Sequence, residues 1–282
     1  MLTKKYVYGS LALAVMLACS SAQAKVYVKD SDSWVEGENF VTSSDIAAVF
    51  SDKDGETVEA PSSDIKSDKE YGVLAYNNAT LNVFGTDINI SSSTTSGDAN
   101  AVGAVTQKEA NRFTDGGKVN VGNESTKNIN ITATANKGYA TGIYCNRNIN
   151  DGSYNVHAQP SFVNIKGENL NITAHSENGK AVGIWAQNNT GVQNEKSTVT
   201  IDAKNTVINV TSGDKNPTAS GEYKNIGIVA YSSSKVFINN NLTINAGTAI
   251  STRGNAQTVI NEDGKGTVKI NGDINFNITN DG

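Results

Sequence analysis

The chain has 282 residues, 23 basic and 28 acidic side chains, and a formal net charge of −5. No basic patch stands ready to neutralise phosphates, which excludes nucleic acid as an expected partner. With two cysteines there is no disulfide framework, so stability has to come from burial and backbone hydrogen bonding.

The first element in chain order is a signal segment, residues 1–24. Lys4 and Lys5 form a short basic region, Leu11 to Ala18 is an unbroken apolar run, and Ala22-Gln23-Ala24 is a small-x-small site. Cleavage is expected after Ala24. The apolar run is too short to span a bilayer, which takes about 20 residues. The rival site, lipidation at Cys19, departs from its usual pattern at Met16. Export in bacterial style follows from either. The mature chain has 21 basic and 28 acidic side chains, a net of −7, and a single cysteine, Cys145.

Residues 25–70 hold Trp34, Phe40, Phe50 and many charges but no visible repeat, and read as an N-terminal cap or irregular leader. SSDIAAVF, 43–50, predicts a short helix capped by Ser44 or Asp45. Asp30-Ser31-Asp32 and Asp52-Lys53-Asp54-Gly55 begin like calcium loops, yet neither continues into the EF-hand pattern.

From residue 71 to 282 the chain repeats itself. NITATANKGYATGIYCNRN (130–148) and NITAHSENGKAVGIWAQNN (171–189) agree at nine positions. Three kinds of segment recur in fixed order. The first surrounds a glycine: YGVLA, VGAVT, TGIYC, VGIWA, IGIVA. The second includes ATLNVFG, SFVNIKG and STVTIDA, and the third TDINI, ENLNITA and NNLTINA. The marker glycines are Gly72, Gly103, Gly142, Gly183 and Gly227, at steps of 31, 39, 41 and 44 residues. The closing INGDINFNITNDG reads as one more second-and-third pair. Apolar residues alternate with polar ones, as at Leu170, Ile172 and Ala174 against Asn169, Asn171 and Thr173. That is the period of a strand. Three short strands per repeat stack most simply as an all-β, single-stranded parallel β-helix, right-handed by the usual crossover preference. Asparagines at like positions, Asn130 and Asn171 among them, either stack as amide ladders or simply face water.

No chemistry stands out. Cys145 falls in the slot of Ala75, Thr106, Ala186 and Ala230 and reads as a small core residue. His157 and His175 lie in or near variable loops with no recurring ligand partner. Asp87, Asp202 and Asp273 are single acids at unlike positions. No catalytic residue, metal or cofactor is expected. Two residues after each marker glycine stand Leu74, Val105, Tyr144, Trp185 and Val229. With Val182 and Ile184 taken as inward, alternation turns these five outward, as an apolar stripe along one face. Such a stripe suits a host-surface glycan or protein, or a neighbouring copy of the chain.

The Asn/Thr/Ser/Gly-rich array and its A-x-G-I-x-A and L-N-I-T-A phrases, as at Ala181 to Ala186 and Leu170 to Ala174, resemble the passenger region of a bacterial autotransporter. The likeness covers residues 71–282. It implies a surface or extracellular location, an adhesive or structural role without catalysis, and a C-terminal outer-membrane barrel in a full-length protein. That barrel is missing here, and the repeats run to Gly282, which reads as a truncated array that would be periplasmic. The alternatives are a carbohydrate-active β-helix enzyme and an inert secreted fragment.

Overall fold

The computed structural model describes residues 26–30, 33–37, 46–52, 54–60, 62–106, 108–109, 112–113, 115–147, 159–188, 196–213, 225–262 and 267–277. The signal segment with Cys19, together with Phe40 and His157, lies outside them.

Short strands with alternating β-branched residues need neighbours on both edges, and here each finds them one coil before and one coil after. The chain winds as a parallel β-helix with three strand positions per turn, and no described residue is helical. The first face carries Ala47–Ser51, Tyr71–Ala75, Ala99–Val105, Ala140–Arg147, Ala181–Asn188 and Asn225–Ser232. It continues into the second half of Asn241–Arg253. The second face runs from Thr57–Glu59 through Thr80–Val83, Lys118–Val121 and the start of Phe162–Ser176 to Gln257–Ile260. The third runs from Asp64–Ser67 through Asp87–Thr94 and Asn128–Ala135 to the start of Val268–Asn277. Among the described residues every strand-to-strand pairing within the helix is parallel, as in Ile88↔Ile129↔Leu170 and Val119↔Val163↔Val199, and one isolated bridge, Tyr76↔Gly116, is antiparallel.

The core is the column of inward side chains. Ile90, Ile131, Ile172, Ile208 and Ile244 stack at one position of the third face, each at most 1 % exposed. Full burial of such a side chain stabilises by about 1.5–3 kcal/mol. One coil has too few of them to fold by itself, so the coils stabilise one another.

Polar residues follow a column rule of their own. The Asn130 side chain donates to Asn89 at 2.9 Å, and Asn171 donates to Asn130 at 3.2 Å. A longer ladder runs Asn241→Asn205→Asn169→Asn128→Asp87, with spacings of 2.9, 3.0, 3.2 and 2.7 Å. The asparagines therefore do both things the sequence allows: they face outward and they stack.

Four expectations are corrected. Residues 47–51 form a strand that pairs with Tyr71–Ala75, not a helix, so the stack begins before residue 71. An antiparallel hairpin, Val26–Asp30 with Ser33–Gly37, lies against that strand. Gly103 is not in the marker column. Ala99 pairs with Ala140 and Val102 with Ile143, which puts Ala101 opposite Gly142. The Cys145 slot is accordingly filled by Ala104, not Thr106. Finally, Val268–Asn277 supplies third-face and then first-face pairings, not second and third. A slip of two residues keeps every side chain on its face, so alternation alone cannot detect it.

Candidate functional site

The outward column of the first face is, in register, Phe50, Leu74, Gly103, Tyr144, Trp185, Val229 and Ser251. Of the five residues expected there, Val105 belongs instead to the next outward column, with Asn146, Gln187, Tyr231 and Arg253. The two halves of the column differ. Toward the first coils the chain covers itself. Leu74 and Val105 are buried with Ala47 and Tyr71 in a small outer cluster, against which Phe50, Tyr76 and Tyr144 pack. Glycine at 103 makes room for this, because a Cβ there would stand 2.4 Å from the Tyr71 ring. Polar groups rim the cluster. Glu70 bonds the Tyr71 hydroxyl and accepts from Asn100 at 3.3 Å, while burial, above all, raises its carboxyl pKa. Burial likewise pushes Tyr144 up to about 12.

Toward the later coils the column opens. A groove of about 240 Å³ is lined by Tyr139, Lys180, Val182, Trp185, Gln187, Val229, Tyr231, Ser251 and Arg253. Pockets for drug-sized ligands occupy about 300–1,000 Å³, so this one is small. Trp185 lines it, with its ring centroid 5.7 Å from that of Tyr139 and 5.9 Å, edge-on, from that of Tyr144. Offset and edge-to-face pairs of this kind hold aromatic rings in a defined orientation. Trp185 Nε1–H donates to Gln187 Oε1 at 3.1 Å. The Lys180 ammonium lies 5.6 Å from the Tyr139 ring centroid, within cation–π range. Tyr231 is 40 % exposed.

Val182 is buried, at 1 % exposed, yet it touches the floor of this groove and stands outside the main core cluster that holds Ala181 and Ile184. Ala181 and Ile184 are both core residues three positions apart, so the alternation slips by one at Gly183. Of the other lining residues, Lys180 lies in register with Tyr139 just before the strand, and Tyr231 pairs with Arg253 at its far end. They become visible only once the register is known.

The remaining polar candidates are tied into the scaffold. Cys145 is fully buried, its thiol donating to the Ser161 carbonyl at 3.2 Å, and burial drives its pKa well above the ordinary range. His175 bonds Thr211 at 2.8 Å and Glu177 at 3.2 Å. Asp52 and Asp54 accept from Tyr76 and Asn78 of the next coil. Asp87 begins the long amide ladder, and Asp202 lies 3.7 Å from Lys166. For Asp273 only its pairing with Thr248 is described. Among the described residues no three His, Cys, Asp or Glu side chains gather as a metal site. Comparison with protein-family models, with curated proteins and with solved structures finds no match in any of the three.

Proposed function

We propose that this chain is an exported bacterial surface protein of the autotransporter-passenger kind, whose β-helix is both stalk and contact surface. The carrying observation is the outer column of the first face. It is filled by the protein's own side chains around Leu74 and left open around Trp185. A buried polar backbone and stacked core make the body rigid, and a rigid body presents an open aromatic groove at little ordering cost. The signal segment and the Asn-rich repeats support the exported, passenger-like part of the reading. An outer-membrane barrel is the export partner this reading calls for.

The test is binding of purified chain to host-cell surfaces and to immobilised glycans, with Trp185→Ser as the variant. Saturable binding that falls with the variant, at unchanged circular dichroism, supports adhesion through this face. Binding that ignores Trp185 moves the contact elsewhere on the helix. New reducing ends on a polysaccharide panel would replace the adhesive reading with an enzymatic one.

A further inference from the structure

The polar groups of the groove differ in what they have left to offer. Trp185 Nε1–H is already taken by Gln187 Oε1 at 3.1 Å, so the indole presents its face and not its edge. The Lys180 ammonium lies over the Tyr139 ring, and Arg253 has an interaction of its own. Both cations are therefore engaged. Two other groups are not. Gln187 keeps the N–H donors of its Nε2 amide, which has no partner among the described residues. Ser251 lines the groove at 2 % exposed, and its hydroxyl has no hydrogen-bond partner among the described residues. Buried polar groups are ordinarily paired, so a buried hydroxyl left at the edge of a cavity points to a ligand. The register places the two groups. Trp185, Val229 and Ser251 follow one another in one column, and Gln187 stands two residues beyond Trp185, in the column of Tyr231. Neighbouring strands lie ~4.8 Å apart, so the floor from Trp185 to Ser251 is about 10 Å long.

That arrangement is selective. A wholly apolar ligand would cover the Gln187 amide and the Ser251 hydroxyl without pairing them, which costs free energy. An anion finds no idle charge to meet. A proline ring bears no polar atom, so a peptide reaches the two groups only through carbonyls spaced along its backbone. A pyranose has a C–H face for the indole and a hydroxyl on nearly every carbon, each able to accept from an amide or exchange a bond with a hydroxyl. At about 240 Å³ the groove suits one such ring rather than a long chain. Resting on the contact-surface reading above, we infer that this groove binds one uncharged hexopyranose unit of a glycan, its C–H face on Trp185 and its hydroxyls on the Gln187 amide and the Ser251 hydroxyl.

The test titrates the full chain with lactose, maltose, cellobiose and sialyllactose, read by calorimetry and by Trp fluorescence at low and high salt. At least one uncharged sugar should bind saturably, with an affinity that salt leaves unchanged because no ion pair forms. Ser251→Ala should weaken that binding by roughly 3- to 10-fold, the worth of one hydrogen bond. Gln187→Glu keeps an oxygen for the indole and removes the N–H donors, and should weaken it about as much. Trp185→Ser should abolish it, all three variants keeping the circular dichroism of the parent. Sugar binding that none of the variants moves overturns the assignment to this groove. Binding confined to sialyllactose and lost in high salt overturns the uncharged class. A proline-rich peptide that binds where the sugars do not, with the same dependence on the variants, overturns it in favour of a peptide. Absence of binding to every sugar by folded protein overturns the sugar assignment. Trp185-dependent binding to cells in that case leaves the contact-surface reading standing, and its loss as well removes both.

Discussion

Gly183 lies against Ile208 of its own coil: a Cβ at Gly183 would stand 2.4 Å from Ile208 Cγ2 and 2.5 Å from the Gly227 carbonyl oxygen. Gly142 and Ile172 repeat the relationship, as do Gly227 and Ile244. The glycine column is where the first and third faces meet across the interior, and the missing side chain lets a β-branched residue close on the backbone. One clash is with a main-chain carbonyl held in the ladder, so rotamer changes alone cannot relieve it. Gly183→Ala is expected to destabilise by about 1–3 kcal/mol, the usual range for overpacking. Urea unfolding followed by circular dichroism measures it, and an unchanged midpoint would mean that the coils yield at this point.

Thr206 shows the opposite defect. It takes the inward position between Leu170 and Leu242, is 2 % exposed, and its hydroxyl has no hydrogen-bond partner among the described residues. A buried hydroxyl left unpaired costs about 1–3 kcal/mol relative to one that is satisfied or absent. Valine has nearly the same shape and no hydroxyl. Thr206→Val is expected to raise stability by about 1 kcal/mol, read as an upward shift of the thermal midpoint. A downward shift would show that the hydroxyl does find a partner.

How far the fold and the groove could be read in advance follows from what alternation can carry. It separates inside from outside wherever a strand is longer than about four residues, which is why Leu170, Ile172 and Ala174 read as inward and lie in the core. Across two-residue slips it carries nothing. In AVGAV both Ala101 and Gly103 fit a small-residue marker, and the register gives that place to Ala101, so Gly103 and not Val105 fills the Tyr144–Trp185 column. The first coil escapes the pattern for another reason. Ala47–Ser51 is buried on nearly every residue, and Thr57–Glu59 is only three residues long, so neither displays a period. Val182 reaches the groove floor from a buried position, and that rests on the local slip at Gly183, which no sequence pattern announces. Lys180 and Arg253 enter the same groove from different coils, and only the three-dimensional register joins them.

The long amide ladder has a direction. Each member donates its side-chain N–H to the coil before and offers its carbonyl to the coil after, down to Asp87, which only accepts. A carboxylate is therefore harmless at the ladder's start and harmful in its middle. Asn169→Asp removes the donors to Asn128 and to the Lys127 carbonyl and sets an anion against their oxygens. A loss of about 0.5–1.5 kcal/mol is expected, the net worth of an ordinary hydrogen bond. Asp87→Asn keeps an acceptor for Asn128 and should be close to neutral. The pair compared in one denaturation series tests the polarity of the ladder. Equal effects would show that the stacked amides contribute as packed surface rather than as directed bonds.

Two glutamates pull the pH dependence of stability in opposite directions. Glu168 is partly exposed and receives hydrogen bonds from Lys204, at 2.7 Å, and from Lys127, at 3.2 Å, which lower its carboxyl pKa. Its contribution is present above the unfolded value and is lost as pH falls through the lower folded value. Exposure and salt screening keep it small. Glu70 is the reverse, because burial raises its carboxyl above the ordinary 4.5. The folded state then holds that proton more tightly than the unfolded chain. Between 4.5 and the raised folded value, the Glu70 contribution grows as pH falls. Glu70→Gln keeps an oxygen for Tyr71 and Asn100 while removing the titration. It should flatten the stability profile just above 4.5, whereas Glu168→Gln should flatten it only at more acid pH and lose its effect in high salt. Urea midpoints across pH 3 to 8 at low and high salt, a range chosen to bracket ordinary carboxylate values of about 3.9–4.3, measure both. If Glu70→Gln left the profile unchanged, the Glu70 carboxyl would be as well hydrated as in the unfolded chain, and the outer cluster around Tyr71 would be open to water rather than closed by its own side chains.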